Sequence, residues 1–247
     1  VISEEFSAKS GLETALQSGK IELRGQFLLG SNYTFLVNVR HEGALIPAVY
    51  KPQRGENPLW DFPEASLAGR EVAAYLVSEA LGLNLVPLTV LRLDGPFGPG
   101  SLQQFVEYDP HYHYFTFSEI DRQPLRPAAF FDLLVNNADR KGSHLLIEKG
   151  TGKLWLIDHG LCFHAEDKLR TVLWDFAGGV IPADLLTALA SLRSTLRAPH
   201  SSLHASLSTF LTSAELAALV ARADHLHANP VFPHPPEDRR AYPYPPL

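Results

Sequence analysis

Residues 133–164 read LLVNNADRKGSHLLIEKGTGKLWLIDHGLCFH, and this stretch decides the fold. An apolar run closing on Asn-Asn has the form of a helix C-terminus. A polar loop, ADRKGS, follows at 138–143. HLLIE and KLWLID then flank the turn KGTG, the pattern of a β-hairpin. The two acids sit where chemistry is often found: Asp139 in the loop after the helix, and Asp158 at the end of an apolar strand, before His-Gly. A carboxylate at the end of a buried strand is costly unless it is paired with a metal or a cation.

The neighbouring segments fit around this centre. Upstream, 19–25, 33–40 and 44–51 are short, β-rich and separated by turn residues. A helix is expected after Ser66 as N-cap, with Leu67, Val72, Tyr75, Leu76 and Ala80 on one face and Gly82 as the stop. Strands at 86–93 and 100–107 follow, joined by the turn DGPFGPG. The helix before Asp139 is expected over 127–137, with Pro127 at its first position. Downstream, Leu185, Leu186, Leu189, Leu192 and Leu196 form a helical stripe, and Thr212 with Glu215 fits a capping box. The Pro-rich stretch 230–247 reads as an extended strap or a disordered end. The expected class is α+β: a bilobal, protein-kinase-like fold with a β-rich first lobe carrying one helix over 1–108, and a mostly helical second lobe over 109–247.

Composition excludes several alternatives. At 247 residues and a net charge of −6, the chain lacks the basic face a nucleic-acid binder needs. One cysteine, Cys162, excludes an internal disulfide and a four-cysteine zinc site, and a buried, inert thiol is expected there. No apolar run reaches the ~18 residues of a membrane span. The first twenty residues lack an apolar signal core. The expectation is a cytoplasmic protein without membrane insertion; oligomeric state is not legible.

Phosphoryl transfer requires a cation on the nucleotide phosphates, an acid holding metal, and a carboxylate near the attacking group. Lys51 ends a strand, and Glu71 on the following helix can fix its direction. Asp139 is the candidate catalytic carboxylate; Arg140 either binds phosphate or holds the loop. His144, five residues after Asp139, and Asp158 are the candidate metal ligands. The interval from Asp139 to His144 matches that between the base and the metal-binding Asn of the kinase catalytic loop. Imidazole suits Mn²⁺ better than Mg²⁺. Gly30, Ser31 and Asn32 form a turn whose backbone can cover phosphates, and Gln104, Phe105 and Val106 occupy the connector expected to meet adenine. Taken singly, each residue also has a plain structural reading as a turn, brace or surface group. Their order along the chain makes the stronger case. Trp60, Trp155 and Trp174 read as core or lobe anchors.

VYKPQRGE at 49–56, REVAAY at 70–75, LLVNNADRKGSHLL at 133–146 and LWLIDHGLCFH at 154–164 resemble the phosphatidylinositol 3-/4-kinase-like superfamily, and within it a small bacterial branch common in actinobacteria. HipA-type toxin kinases and the secreted Golgi casein kinases resemble it more distantly. The resemblance spans roughly residues 10–247. It implies ATP with Mg²⁺ or Mn²⁺ between the two lobes, Lys51 on phosphate oriented by Glu71, Asp139 as base, and Asp158 as metal chelator. His144 departs from the common Asn, and a lipid substrate is not carried over. The function expected is an ATP-dependent phosphotransferase acting on an unidentified small-molecule or protein acceptor. The alternatives are a nucleotide-binding pseudokinase or scaffold, an AMP-transferring enzyme of the same fold, and metal-dependent hydrolysis using His111, His113, His144, His159 and His164.

Overall fold

The structure is a computed structural model describing residues 2–27 and 32–247, with side chains from residue 9 onward. The chain divides into two compact units. The first comprises Val1–Val72 with Pro87–Phe105; the second comprises Ala73–Val86 with Val106–Leu247. The fold is mixed, with an antiparallel sheet in the first unit and helices dominating the second.

Five strands build the first unit: β1 (Lys20–Phe27), β2 (Thr34–His41), β3 (Ala44–Pro52), β4 (Thr89–Gly95) and β5 (Gly98–Gln104). Their order is β1-β2-β3-β5-β4, every pair antiparallel. Val37, Val39, Ala48, Tyr50 and Leu102 are fully buried on one face. Strand alternation therefore puts Tyr50 and Lys51 on opposite faces of β3. A helix absent from the sequence reading, α1 (Ile2–Ser18), buries Ala15 and Leu16 here. Arg92 Nη1 closes its end, donating to the carbonyls of Leu16 at 2.8 Å and Gly19 at 2.9 Å. Gly11 in mid-helix and weak amphipathicity hide this element in the sequence.

α2 (Leu67–Ala80) follows β3 as expected, but its N-terminus is held differently. The backbone N–H groups of Leu67 and Ala68 donate to the carboxylate of Glu56 at 3.1 and 2.9 Å. The Ser66 hydroxyl, expected as the cap, donates instead to Pro63 O at 2.6 Å. A carboxylate satisfies two orphan donors and complements the helix dipole, which a serine cannot match. Trp60 corrects a second expectation: it is 91% exposed, on the loop between β3 and α2, and anchors no core.

In the second unit, a short α3 (Glu119–Arg122) precedes α4 (Leu125–Val135). Pro127 is the third residue of α4, still within the first turn, where no intrahelical donor is lost. Asn136 terminates α4 in the left-handed conformation, φ 55°. The hairpin is β6 (Leu145–Ile147) and β7 (Leu154–Leu156). Then come α5 (Ala183–Arg197), α6 (Ser202–Leu207) and α7 (Ser213–Ala228). Four of the five stripe leucines are buried in α5, and α7 starts in the expected Thr212–Glu215 capping box. The Pro-rich segment is a strap. Arg239 Nη1 donates to Leu169 O at 2.8 Å, Ala241 O accepts from Thr171 N at 3.1 Å, and Pro246 O accepts from Gly142 N at 2.8 Å. No helix among the described residues is long and apolar enough to cross a membrane.

Candidate active site

Each unit carries a cluster of the expected residues. In the first, the Lys51 ammonium donates to the carboxylate of Glu71. Lys51 is at the end of β3 and Glu71 one turn into α2. The lysine side chain is 23% exposed and the glutamate 3%, so a nearly buried anion fixes a cation that still reaches solvent. Of the turn expected to cover phosphates, Gly30 and Ser31 lie outside the described residues. Asn32 Oδ1 accepts from Asn57 N at 2.8 Å. In the connector, Gln104 N donates to Leu88 O at 2.8 Å and Phe105 N to Pro47 O at 3.2 Å, so neither N–H is open to an adenine edge.

The second cluster grows from the end of α4. Asp132 is fully buried and accepts from both nitrogens of the Arg140 guanidinium that face it, Nε at 3.1 Å and Nη2 at 3.0 Å. Asn137 Nδ2 and Thr171 Oγ1 also donate to it, at 3.2 and 3.1 Å. Arg140 Nη1 donates to Ile157 O at 2.6 Å, and Nη2 lies 2.8 Å from His159 Nε2, which accepts. The Arg140 guanidinium has no exposed surface and ties the loop to the strand-to-Asp158 turn. Asp132 belongs to no motif of the sequence, although one acid inside the apolar run AAFFDLLV was the available signal.

Asp139 sits on this braced loop, its backbone N–H held by Asn137 Oδ1 at 2.9 Å. Burial raises its pKa to about 6; Lys141 opposes that rise and the charge of Asp158 adds to it. Lys141 Nζ stands 3.5 Å from Asp139 Oδ2, a neighbour that sequence reasoning passed over. Asp158 adopts φ 62°, an uncommon backbone conformation for a non-glycine residue, and its side chain is 49% exposed. His144 Nε2 lies 3.3 Å from Asp158 Oδ2, while its Nδ1 accepts from Lys141 N at 3.3 Å. Nε2 therefore carries the ring proton of the neutral imidazole and directs it to Asp158. The sequence thus brings Asp139, Lys141, His144 and Asp158 into one charged group. A Cβ at Gly142, on the same loop, would stand 2.8 Å from the Phe115 ring, so a larger residue there would have to push that ring aside.

Among the described residues, no three His, Cys, Asp or Glu side chains form a metal-holding group, so the hydrolytic reading through His111, His113, His144, His159 and His164 gains no support. Cys162 is buried as expected.

The family model described as phosphatidylinositol 3- and 4-kinase matches residues 67–186, which include Glu71, Asp139, His144 and Asp158. Protein Rv2133c of Mycobacterium tuberculosis is 39% identical over 93% of this chain and 93% of its own length. The chain belongs to the phosphatidylinositol 3-/4-kinase-like superfamily. Solved structures show the same kinase-like fold. The Golgi casein kinase with Mn/ADP bound gives a TM-score of 0.58 at 16% identity, covering 89% of this chain and 74% of that one. Hydra Fam20 with sugar gives 0.56 at 15%, covering 88% and 86%. The Helicobacter pylori proinflammatory kinase CtkA gives 0.52 at 12%, covering 88% and 94%. The fold is kinase-like, and the family supports a phosphotransferase at that coarse level.

Proposed function

We propose that this protein is an ATP-dependent kinase that transfers the γ-phosphoryl group to a hydroxyl of a small-molecule or protein acceptor, with residues 1–108 as its nucleotide-binding lobe and 109–247 as its catalytic lobe. The observation that carries the reading is Asp139: a half-buried carboxyl raised to about 6, on a loop locked by a buried Asp132–Arg140 pair. A base tuned close to working pH is what proton removal from a hydroxyl requires.

In this reading Lys51, aimed by Glu71, holds the phosphates of ATP. Asp139 orients the acceptor hydroxyl and takes its proton as the oxygen bonds to the γ-phosphorus and the bond to the ADP oxygen breaks. Lys141 stands beside Asp139 and balances the charge there. The donor set of one half-exposed carboxylate and one imidazole suits a divalent cation that shares its remaining positions with phosphate and water. Asp158 and His144 would hold it, and when bound it neutralises phosphate charge. For His144 Nε2 to ligate, its ring proton would have to move to Nδ1, which gives up the hydrogen bond from Lys141 N. The Golgi casein kinase solved with Mn/ADP supports nucleotide and divalent metal as the cofactors.

The deciding experiment compares ATP labelled at the γ- and α-positions, with Mg²⁺ or Mn²⁺, in the wild type and Asp139→Asn. Transfer or release of γ-label, falling at least 100-fold in the variant while ATP binding persists, is expected. Transfer of α-label marks AMP transfer instead. ATP binding without turnover marks a pseudokinase. Undiminished turnover in Asp139→Asn removes Asp139 from the chemistry.

A further inference from the structure

A cavity of 530 Å³ opens within the second unit, lined by none of the candidate catalytic residues. Its apolar walls come from Leu133 of α4, Ala218, Ala221 and Leu226 of α7, and prolines of the strap. The volume falls in the range of small-molecule sites, and the polar part of the lining is Asn136, Asp167, His225 and His234 besides two arginines.

Two arginines reach it, and their situations differ. Arg239 is matched by the Asp167 carboxylate at 2.6 Å and by Leu169 O. Arg222 has no such match. Its Nε donates to Leu134 O at 2.9 Å and its Nη1 to His164 O at 3.2 Å, both neutral carbonyls. Its Nη2 is buried and has no hydrogen-bond partner. Cys162, Asp167 and Glu215 act on its charge electrostatically, and the two carboxylates are engaged elsewhere, with Arg239 and Thr212. Burial pulls the guanidinium down to about 10, which leaves it charged at neutral pH. A cation against apolar walls, lacking a counter-ion and one hydrogen bond, is a cost that an arriving anion would offset. The alanines at 218 and 221, where larger residues would fill the space, leave room for the rest of such a ligand.

We propose that this cavity binds a small amphipathic anion, its carboxylate or phosphate head against Arg222 and its hydrocarbon or aryl body against Leu133 and Leu226. The site is independent of the phosphotransferase reading, because neither Lys51 nor Asp139 takes part.

The test titrates the full chain, without ATP, with the anionic dye 8-anilinonaphthalene-1-sulfonate, and then adds octanoate, octyl phosphate or octylamine. Saturable dye fluorescence is expected, displaced by octanoate or octyl phosphate and not by octylamine; the stronger competitor identifies the head group. Ala218→Phe fills the cavity and leaves Arg222 in place, and it should weaken dye binding at least tenfold. Arg222→Gln should do the same. Because that change also removes two structural hydrogen bonds, its melting curve is recorded, and Ala218→Phe carries the test if it unfolds. Absence of saturable binding, undiminished binding in Ala218→Phe, displacement by neither anion, or equal displacement by octylamine overturns the proposal.

Discussion

Asp139 combines two properties that pull against each other. Burial raises its pKa to about 6, which makes it a competent base near neutrality and an unfavourable anion in the folded state. Turnover should therefore fall as pH drops through about 6, seen as an acid limb in the pH profile of kcat/KM. Lys141 holds that pKa down, so Lys141→Met should move the limb to higher pH. The stability effect has a definite sign. An ordinary unfolded aspartate titrates near 4. Between about 4 and about 6 the folded state binds the extra proton, so stability declines as pH rises across that window and the penalty is constant above it. Asp139→Asn removes the penalty. Discounted for partial exposure, the gain should be about 1–2 kcal/mol at pH 8 and vanish near pH 4, measured by denaturant unfolding at both values. This residue was legible in the sequence as a loop acid after a helix. Its raised pKa was not, because burial depends on how 161–163 and 170–172 pack around the loop: Ala138 N donates to Leu161 O and Arg140 N to Arg170 O.

At the scale of elements, α4 and its loop act as one block because Asp132 and Arg140 meet with no exposed surface. Removing one partner leaves a buried charge uncompensated. Asp132→Ala should cost about 3–5 kcal/mol, read as a large drop in melting temperature, with activity lost through misplacement of Asp139. The hairpin, the α5 stripe and the α7 capping box were all readable, since each is set by local pattern. The cap on α2 was not readable. Glu56 is eleven residues from Leu67, and only the folded path of the intervening loop brings it to the helix end. Trp60 misled for the same reason: its bulk suggested a core position, while its loop carries it outward.

At the scale of the molecule, the order of chemical groups along the chain was the signal, and family membership rests on it together with the mycobacterial relative. If Lys51 is the phosphate-binding cation, ligand linkage reports it directly. Millimolar ATP with Mn²⁺ should raise the melting temperature of the wild type by a few degrees and leave Lys51→Ala unmoved.

The strap also has a bearing on biosynthesis. Gly142 and Thr171 take their backbone partners from Pro246 and Ala241, so the loop bearing Asp139 gains these supports only after about a hundred further residues have left the ribosome. A nascent chain halted before that point has every candidate site residue in its sequence and lacks part of the framework that steadies them. Ribosome-stalled chains of increasing length should therefore gain protease resistance in the 138–145 region late, when residues 239–246 emerge.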